Sequence, residues 1–158
     1  MVNDIWFTNL EKNPEYINEY VRFCKEEWGS CSGELLEKKI NDQVRRIING
    51  EDGIIYVLLM LLKKELIGFI SLFESDGDYY KELSPWFATF YVKEKYRNMG
   101  YSTLLFQELI NESINLGYNE VFFRSYIENY YDRLYGAEVI DELDNGQKMY
   151  KISLSKRK

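Results

Sequence analysis

The order of elements legible in the sequence is that of a mixed α/β (α+β) domain. It predicts a mostly antiparallel sheet of about six to seven strands, with one central parallel pair and helices on both faces. Three observations carry this. First, Ile54–Leu62 and residues 66–73 are apolar, β-rich runs separated only by Lys63-Lys64-Glu65, which reads as an antiparallel hairpin of strands covered on both faces. Second, residues 86–124 run strand, helix, strand at the spacing of a right-handed parallel crossover. Third, Asn145-Gly146 sits between two β-rich runs, residues 138–143 and 148–154, and is the strongest hairpin signal in the chain.

Taken in order, residues 5–8 form a short first strand. Asn13-Pro14-Glu15 marks a helix start, with a capping residue, a proline at the first helical position and an early acid. Ile17, Tyr20, Val21, Cys24 and Trp28 follow at helical spacing, and Gly29 stops the helix. Ser32 begins a second helix whose inner face is Leu36, Ile40, Val44, Ile47 and Ile48; Asn49-Gly50 ends it. After the first hairpin, residues 74–83 are a polar loop. Its Asp76-Gly77-Asp78 lacks the spacing and closing glutamate of a calcium loop and reads as an ordinary turn. A strand over 85–93 leads to a turn at Gly100. The next helix, 102–116, buries Leu104, Leu105, Leu109 and either Ile114 or Leu116, and stops at Gly117. A strand over 120–124 and a short aromatic helix over 126–134 precede the final hairpin and a basic tail.

The chain has 158 residues, which fits one domain spanning 1–158. Apolar residues are 46 % and aromatics 16 %, enough for a sizeable core. Histidine is absent, which removes His-based triads and most zinc sites, so no metal is expected. A net charge of -6 and a pI near 4.9 argue against nucleic acid as a general partner. Cys24 and Cys31 form no CxxC pair and read as free thiols suited to a reducing cytoplasm. No basic segment precedes an apolar run at the N-terminus, so no signal peptide is expected. The longest apolar run, Ile54–Leu62, is too short to cross a membrane as a helix.

The chemistry concentrates in residues 90–105, FYVKEKYRNMGYSTLL. An apolar strand gives way to Lys93, Lys95 and Arg97, then to Gly100 and a helix start. The first N–H groups of a helix lack intrahelical acceptors and the dipole is positive there, so this arrangement suits an anion held by backbone amides. A plain strand–turn–helix is the equal alternative on local chemistry alone. The triple-glycine dinucleotide fingerprint and the Gly-Lys-Ser/Thr phosphate loop are both missing.

Arg97-Asn98-Met99-Gly100-Tyr101-Ser102 resembles the R-x-x-G-x-G/A acetyl-CoA signature of the GNAT superfamily of N-acetyltransferases, with Ser102 where that family usually has Gly or Ala. Leu66-Ile67-Gly68-Phe69-Ile70-Ser71-Leu72 is similar to the family's third strand. Tyr130-Tyr131-Asp132-Arg133-Leu134 followed by Gly136-Ala137 resembles its late F/Y-Y-E-K-L-G-F/A segment, with Tyr135 as an extra residue. The resemblance covers nearly the whole chain. It implies a GNAT-like fold and acetyl transfer from acetyl-CoA, as cosubstrate, to a primary amine of a small molecule or peptide by direct attack. It also implies a homodimer as one possible assembly.

On this resemblance the pantetheine arm pairs with the strand around Tyr91 and Val92, and the Val92 N–H faces the developing oxyanion. Arg97, Asn98, Met99, Gly100, Tyr101, Ser102 and Thr103 hold the pyrophosphate, while Lys93 and Lys95 either steer the phosphates or coat a turn. Tyr131 is the acid that protonates the departing thiolate, with Tyr130 as the alternative and aromatic packing as the third reading. The strand over residues 86–92 holds no carboxylate. Glu74 is therefore the first candidate for the base, followed by Glu26 or Glu27; each also reads as a solvated surface acid. Trp28, Trp86 and Phe87 either wall the acceptor pocket or belong to the core. The competing reading is a GNAT-like module that binds acyl-CoA or a protein partner without turnover.

Overall fold

A computed structural model describes residues 4–28, 33–51, 53–75, 82–125, 136–143 and 145–154. The strands are β1 (Ile5–Asn9), β2 (Ile54–Leu62), β3 (Glu65–Phe73), β4 (Trp86–Val92), β5 (Glu120–Ser125), β6 (Glu138–Glu142) and β7 (Lys148–Ser153). The helices are α1 (Ile17–Trp28), α2 (Gly33–Ile48) and α3 (Tyr101–Asn115). The strands form one seven-stranded sheet in the order β1-β2-β3-β4-β5-β7-β6. Every neighbouring pair is antiparallel except β4–β5. This is the mixed, mostly antiparallel sheet with one central parallel pair that the sequence predicts.

Side chains alternate across a strand, so β2 sends Leu58 and Met60 to one face and Val57, Leu59 and Leu61 to the other. On the first face α3 packs Leu105, Phe106, Leu109 and Ile110. On the second, α1 and α2 pack Ile17, Tyr20, Val21 and Ile40. Covering both faces is what the continuous apolar runs of β2 and β3 require. The alternation in β3 slips at Ile67, where Met60 pairs with Gly68 but Leu61 pairs with Leu66. That extra residue lets Leu66 and Phe69 share the α1–α2 face. A third cluster, Trp86, Phe122 and Met149 with Leu83 against it, fills the space beside the β4–β5 junction. There the Trp86 indole N–H donates to the Leu83 carbonyl at 2.8 Å.

Several local expectations shift. Asn13 does not cap through its side chain: its amide donates to Thr8 Oγ1 and to the Asn9 carbonyl, and a 3-10 turn over Pro14–Tyr16 leads into α1. In α2 only Ile40 is buried, and Ile48 is exposed, because the helix meets the sheet at a narrow stripe. In α3, Leu105 and Leu109 are buried as expected, but Leu104 and Leu116 are exposed and Phe106, Ile110 and Ser113 complete the inner face. Ser113 is tolerated there because its hydroxyl donates to the Leu109 carbonyl. The β6–β7 hairpin forms at Asn145-Gly146, with the Asn145 side chain accepting from the Gln147 N–H. The aromatic segment 126–134, Cys31, the Asp76-Gly77-Asp78 turn and the basic tail lie outside the described residues.

Candidate active site

The parallel pair opens almost as soon as it forms. Trp86 pairs with Phe122, and the Phe122 N–H donates to the Pro85 carbonyl at 3.0 Å. No further residue pair of β4 and β5 is in register among the described residues. On its other side β4 is paired with β3, but Ala88 faces Ser71 while Tyr91 faces Phe69, so Thr89 and Phe90 together oppose Ile70. This is a β-bulge. Thr89 sits there at φ 49°, the left-handed region that a β-branched residue rarely adopts.

The antiparallel ladder also orients the end of β4. The Lys93 N–H donates to the Ile67 carbonyl at 2.8 Å. Backbone groups of successive residues point to opposite edges of a strand, so those of Val92 point away from β3, into the gap on the β5 side.

The gap is the mouth of a cleft of about 660 Å³. Phe87, Phe90, Phe106 and Phe123 line it toward α3, and Val21, Ile47, Ile54 and Phe73 toward α1 and α2. Its polar lining includes Tyr20, Cys24, Lys25, Thr89 and Arg124. Among the described lining residues there is no Asp or Glu.

Three hydroxyls meet at the bulge. Tyr20 from α1 contacts Ser71 Oγ of β3 at 2.9 Å and Thr89 Oγ1 at 3.3 Å, and Ser71 hydrogen-bonds Thr89. Burial pushes the Tyr20 phenol well above its usual range, and burial likewise pushes the neighbouring Cys24 thiol up to about 12. Both therefore stay protonated at neutral pH. Sequence reasoning gave Tyr20 only a core role and did not single out Ser71 or Thr89. The signal was slight: three hydroxyl residues from distant positions, each at the inner face of its element.

Past its C-terminal end, and outside the cleft's lining, β4 leads through a 3-10 turn, Glu94–Tyr96, into α3. Asn98 at φ 63° and Gly100 at φ 86° reverse the chain. Gly100 caps the helix, and the Leu104 N–H reaches the Gly100 carbonyl at 3.3 Å, so the Tyr101 and Ser102 amides lie ahead of the first helical hydrogen bond. A Cβ on Gly100 would meet no atom within 4 Å, which leaves space in front of the turn. The first turn of α3 holds no acid. An anionic phosphate group fits this donor set: outward backbone amides, a positive helix end and the Arg97 guanidinium.

Arg97 is exposed; its Nε donates to the Val92 carbonyl at 2.7 Å and its guanidinium lies over the Tyr91 ring at 5.6 Å. Lys93 and Lys95 instead turn to Glu65, at 3.0 and 3.7 Å, and the Tyr96 hydroxyl donates to the same carboxylate at 2.9 Å. The lysines therefore brace the turn from β3. Hydrogen bonds from Lys93 and then Tyr96 hold the Glu65 carboxyl below its usual range. Tyr91, Arg97 and Gly100 are thus brought to one turn at the mouth of the opened pair, with Met99, Ser102 and Thr103 beside them.

Of the proton-transfer candidates, Glu74 is exposed just beyond β3, its N–H bonded to the Gly53 carbonyl at 2.9 Å. It does not line the cleft, although its neighbour Phe73 does. Glu26 and Glu27 are exposed on α1. Tyr130 and Tyr131 lie outside the described residues, as does the Trp28 side chain. Trp86 is core, whereas Phe87 faces the cleft. No cluster of three metal-ligating side chains occurs among the described residues, and none of their helices is long and apolar enough to cross a membrane.

A comparison with curated proteins found no match. Solved structures match closely in fold. An N-acetyltransferase from Staphylococcus aureus Mu50 superposes with a TM-score of 0.69 at 13 % identity, covering 96 % of this chain and 99 % of its own. An aminoglycoside 6'-N-acetyltransferase in complex with coenzyme A gives 0.68 at 14 % identity, covering 94 % and 97 %. An N-acetyltransferase from Thermoplasma acidophilum, also in complex with coenzyme A, gives 0.59 at 19 % identity, covering 94 % and 98 %. The profile of the acetyltransferase (GNAT) family matches residues 13–136, from the entry to α1 to the glycine ahead of β6. The chain belongs to the GNAT acetyltransferase family.

Proposed function

We propose that the protein is an acetyl-CoA-dependent N-acetyltransferase that acetylates a primary amine of a small molecule or peptide by direct attack. The observation that carries this reading is an opened parallel strand pair whose first strand, β4, runs directly into the Arg97–Gly100 turn at the start of α3. Acetyl-CoA supplies an activated acyl group as a thioester. Arg97, Asn98 and the backbone amides of residues 99–103 hold its pyrophosphate. Tyr91 and Val92 flank its arm along the open edge of β4, and the Val92 N–H is the donor for the oxygen that gains charge. Tyr131 protonates the departing thiolate, and Glu74, outside the cleft's lining, accepts the amine proton through water. A free Cys24 agrees with a reducing, cytoplasmic setting.

Thermal unfolding with excess acetyl-CoA, against ATP and NAD, tests the cofactor. A ligand at a hundred times its dissociation constant adds about 2.7 kcal/mol of stability. A rise with acetyl-CoA alone, followed by amine-dependent thiol release, supports transfer. A rise without thiol release for any amine supports the second reading, an acyl-CoA-binding module, which the lack of a carboxylate among the described lining residues favours.

A further inference from the structure

We infer that Tyr20 and Ser71 are positioning residues of the transferase: through Thr89 they hold the β4 bulge that turns the Val92 N–H into the open seam. This rests on the transferase reading, which lays the acetyl-CoA arm along that edge of β4, and goes beyond it by naming what aims the edge.

The first argument is one of strand parity. Backbone groups of alternate residues along a strand point to the same edge. The Pro85 carbonyl, just before β4, points to β5, where it accepts from the Phe122 N–H at 3.0 Å. The Lys93 N–H, just after β4, points the other way, to the Ile67 carbonyl at 2.8 Å. Residues 85 and 93 are an even number of positions apart, so in an unbroken strand both would face one edge. An extra residue therefore lies between them, and the pairing places it where Thr89 and Phe90 together oppose Ile70. Without it the Val92 N–H would point at β3, and the backbone of Tyr91 would face the seam instead.

The second argument is what keeps the bulge in place. Thr89 stands at φ 49°, a conformation that is unfavourable for a β-branched residue and persists only where the surroundings hold it. Its hydroxyl is held from two elements: the Tyr20 hydroxyl of α1 lies 3.3 Å away, and Ser71 of β3 hydrogen-bonds it. Tyr20 and Ser71 in turn hydrogen-bond each other at 2.9 Å. These ties hold whichever oxygen carries each shared proton. Both anchors are buried, at 3 % and 0 % exposure, and the Tyr20 ring meets Phe69 edge-on at 4.7 Å. Phe69 is the β3 partner of Tyr91, the first residue paired after the bulge, and Ser71 is the partner of Ala88, the last one paired before it. The anchors thus grip the strand on both sides of the slip.

Two substitutions that remove the Thr89 hydroxyl should act in opposite directions. Thr89→Val keeps the β-branch and loses both ties, so the bulge relaxes and the edge turns. Thr89→Gly loses the same ties but takes a positive φ without steric penalty, so the bulge stays. A hydroxyl that touched the ligand itself would be missed equally in both.

The test is calorimetry of acetyl-CoA binding, with each variant first shown to be folded by circular dichroism. Thr89→Val and Tyr20→Phe should each weaken binding about tenfold, while Thr89→Gly stays within about threefold of wild type. Placed on Thr89→Gly, Tyr20→Phe should cost less than about twofold, because the bulge no longer needs the tie. Tyr20→Phe keeps the buried ring and serves if Thr89→Val fails to fold. Equal affinity in Thr89→Val and Thr89→Gly, or an undiminished effect of Tyr20→Phe in the glycine background, overturns the inference and leaves the transferase reading standing. Failure of the wild type to bind acetyl-CoA removes both.

Discussion

The Arg97 guanidinium donates through Nε to the Val92 carbonyl at 2.7 Å, tying the turn before α3 to the last residue of β4. One side chain therefore joins the strand that offers its open edge to the helix start that offers its amides. The remaining guanidinium N–H groups point from an exposed position. Arg97→Ala should weaken acetyl-CoA binding at least tenfold by calorimetry, with little effect on the melting temperature. Arg97→Lys should recover only part of the loss, because an ammonium cannot keep both the Nε bond and a planar fork toward phosphate.

Two glycines near this site should respond for opposite reasons. A Cβ on Gly68 would lie 2.9 Å from the Tyr91 carbonyl oxygen, a backbone atom that cannot swing away. Gly68→Ala should therefore destabilise the protein by about 1–3 kcal/mol in urea unfolding, through overpacking between β3 and β4. Gly100 has open space but a φ of 86°. Gly100→Ala should cost about 1–2 kcal/mol from the left-handed conformation alone. Denaturation midpoints measured in parallel would separate the pair from neutral glycine changes such as those at exposed loops.

Glu65 gives the turn a dependence on acid. Its carboxyl is held low in the folded state by Lys93 first and Tyr96 second. A lowered folded-state pKa contributes stability that is fully present above the unfolded value of about 4.3 and is lost as pH falls through the folded-state value. Between pH 5 and pH 3 the wild-type melting temperature should thus fall further than that of Glu65→Gln. At pH 7 the variant should bind acetyl-CoA more weakly, since Lys93, Lys95 and Tyr96 lose their shared anchor.

Tyr131→Phe should lower turnover while acetyl-CoA affinity stays as it was, the pattern of a group used in the chemical step and not in binding. Single-turnover thiol release beside calorimetry makes the comparison. Turnover equal to wild type across the pH range would take Tyr131 out of the mechanism.

The sheet was readable because its strands obey a strong rule: Ile54–Leu62 is apolar throughout and has to be covered on both faces. The parallel pair was readable from the strand–helix–strand spacing, and the Arg97–Ser102 turn from its motif. What escaped were features made by register. Nothing in Ala88-Thr89-Phe90 announces a bulge, since the extra residue exists only relative to Ile70 on the next strand. The hydroxyl cluster likewise depends on three distant positions meeting through that bulge. Leu104 looked like core because it fits the apolar period of α3, but the helix rotates Phe106 inward in its place. Whether Lys93 and Lys95 steer phosphates or coat a turn was open in the sequence, because their partner Glu65 sits on another strand.

The single registered pair between Trp86 and Phe122 has a mechanical consequence. Among the described residues the sheet divides into β1-β2-β3-β4 and β5-β7-β6, joined by that one registered pair near one end. Whatever lies along the open edge of β4 takes the place of a strand segment and closes the seam. Binding at the cleft would then stiffen the molecule as a whole, so backbone amides of β5 and β7 far from any ligand atom should exchange more slowly with solvent deuterium when the seam is filled.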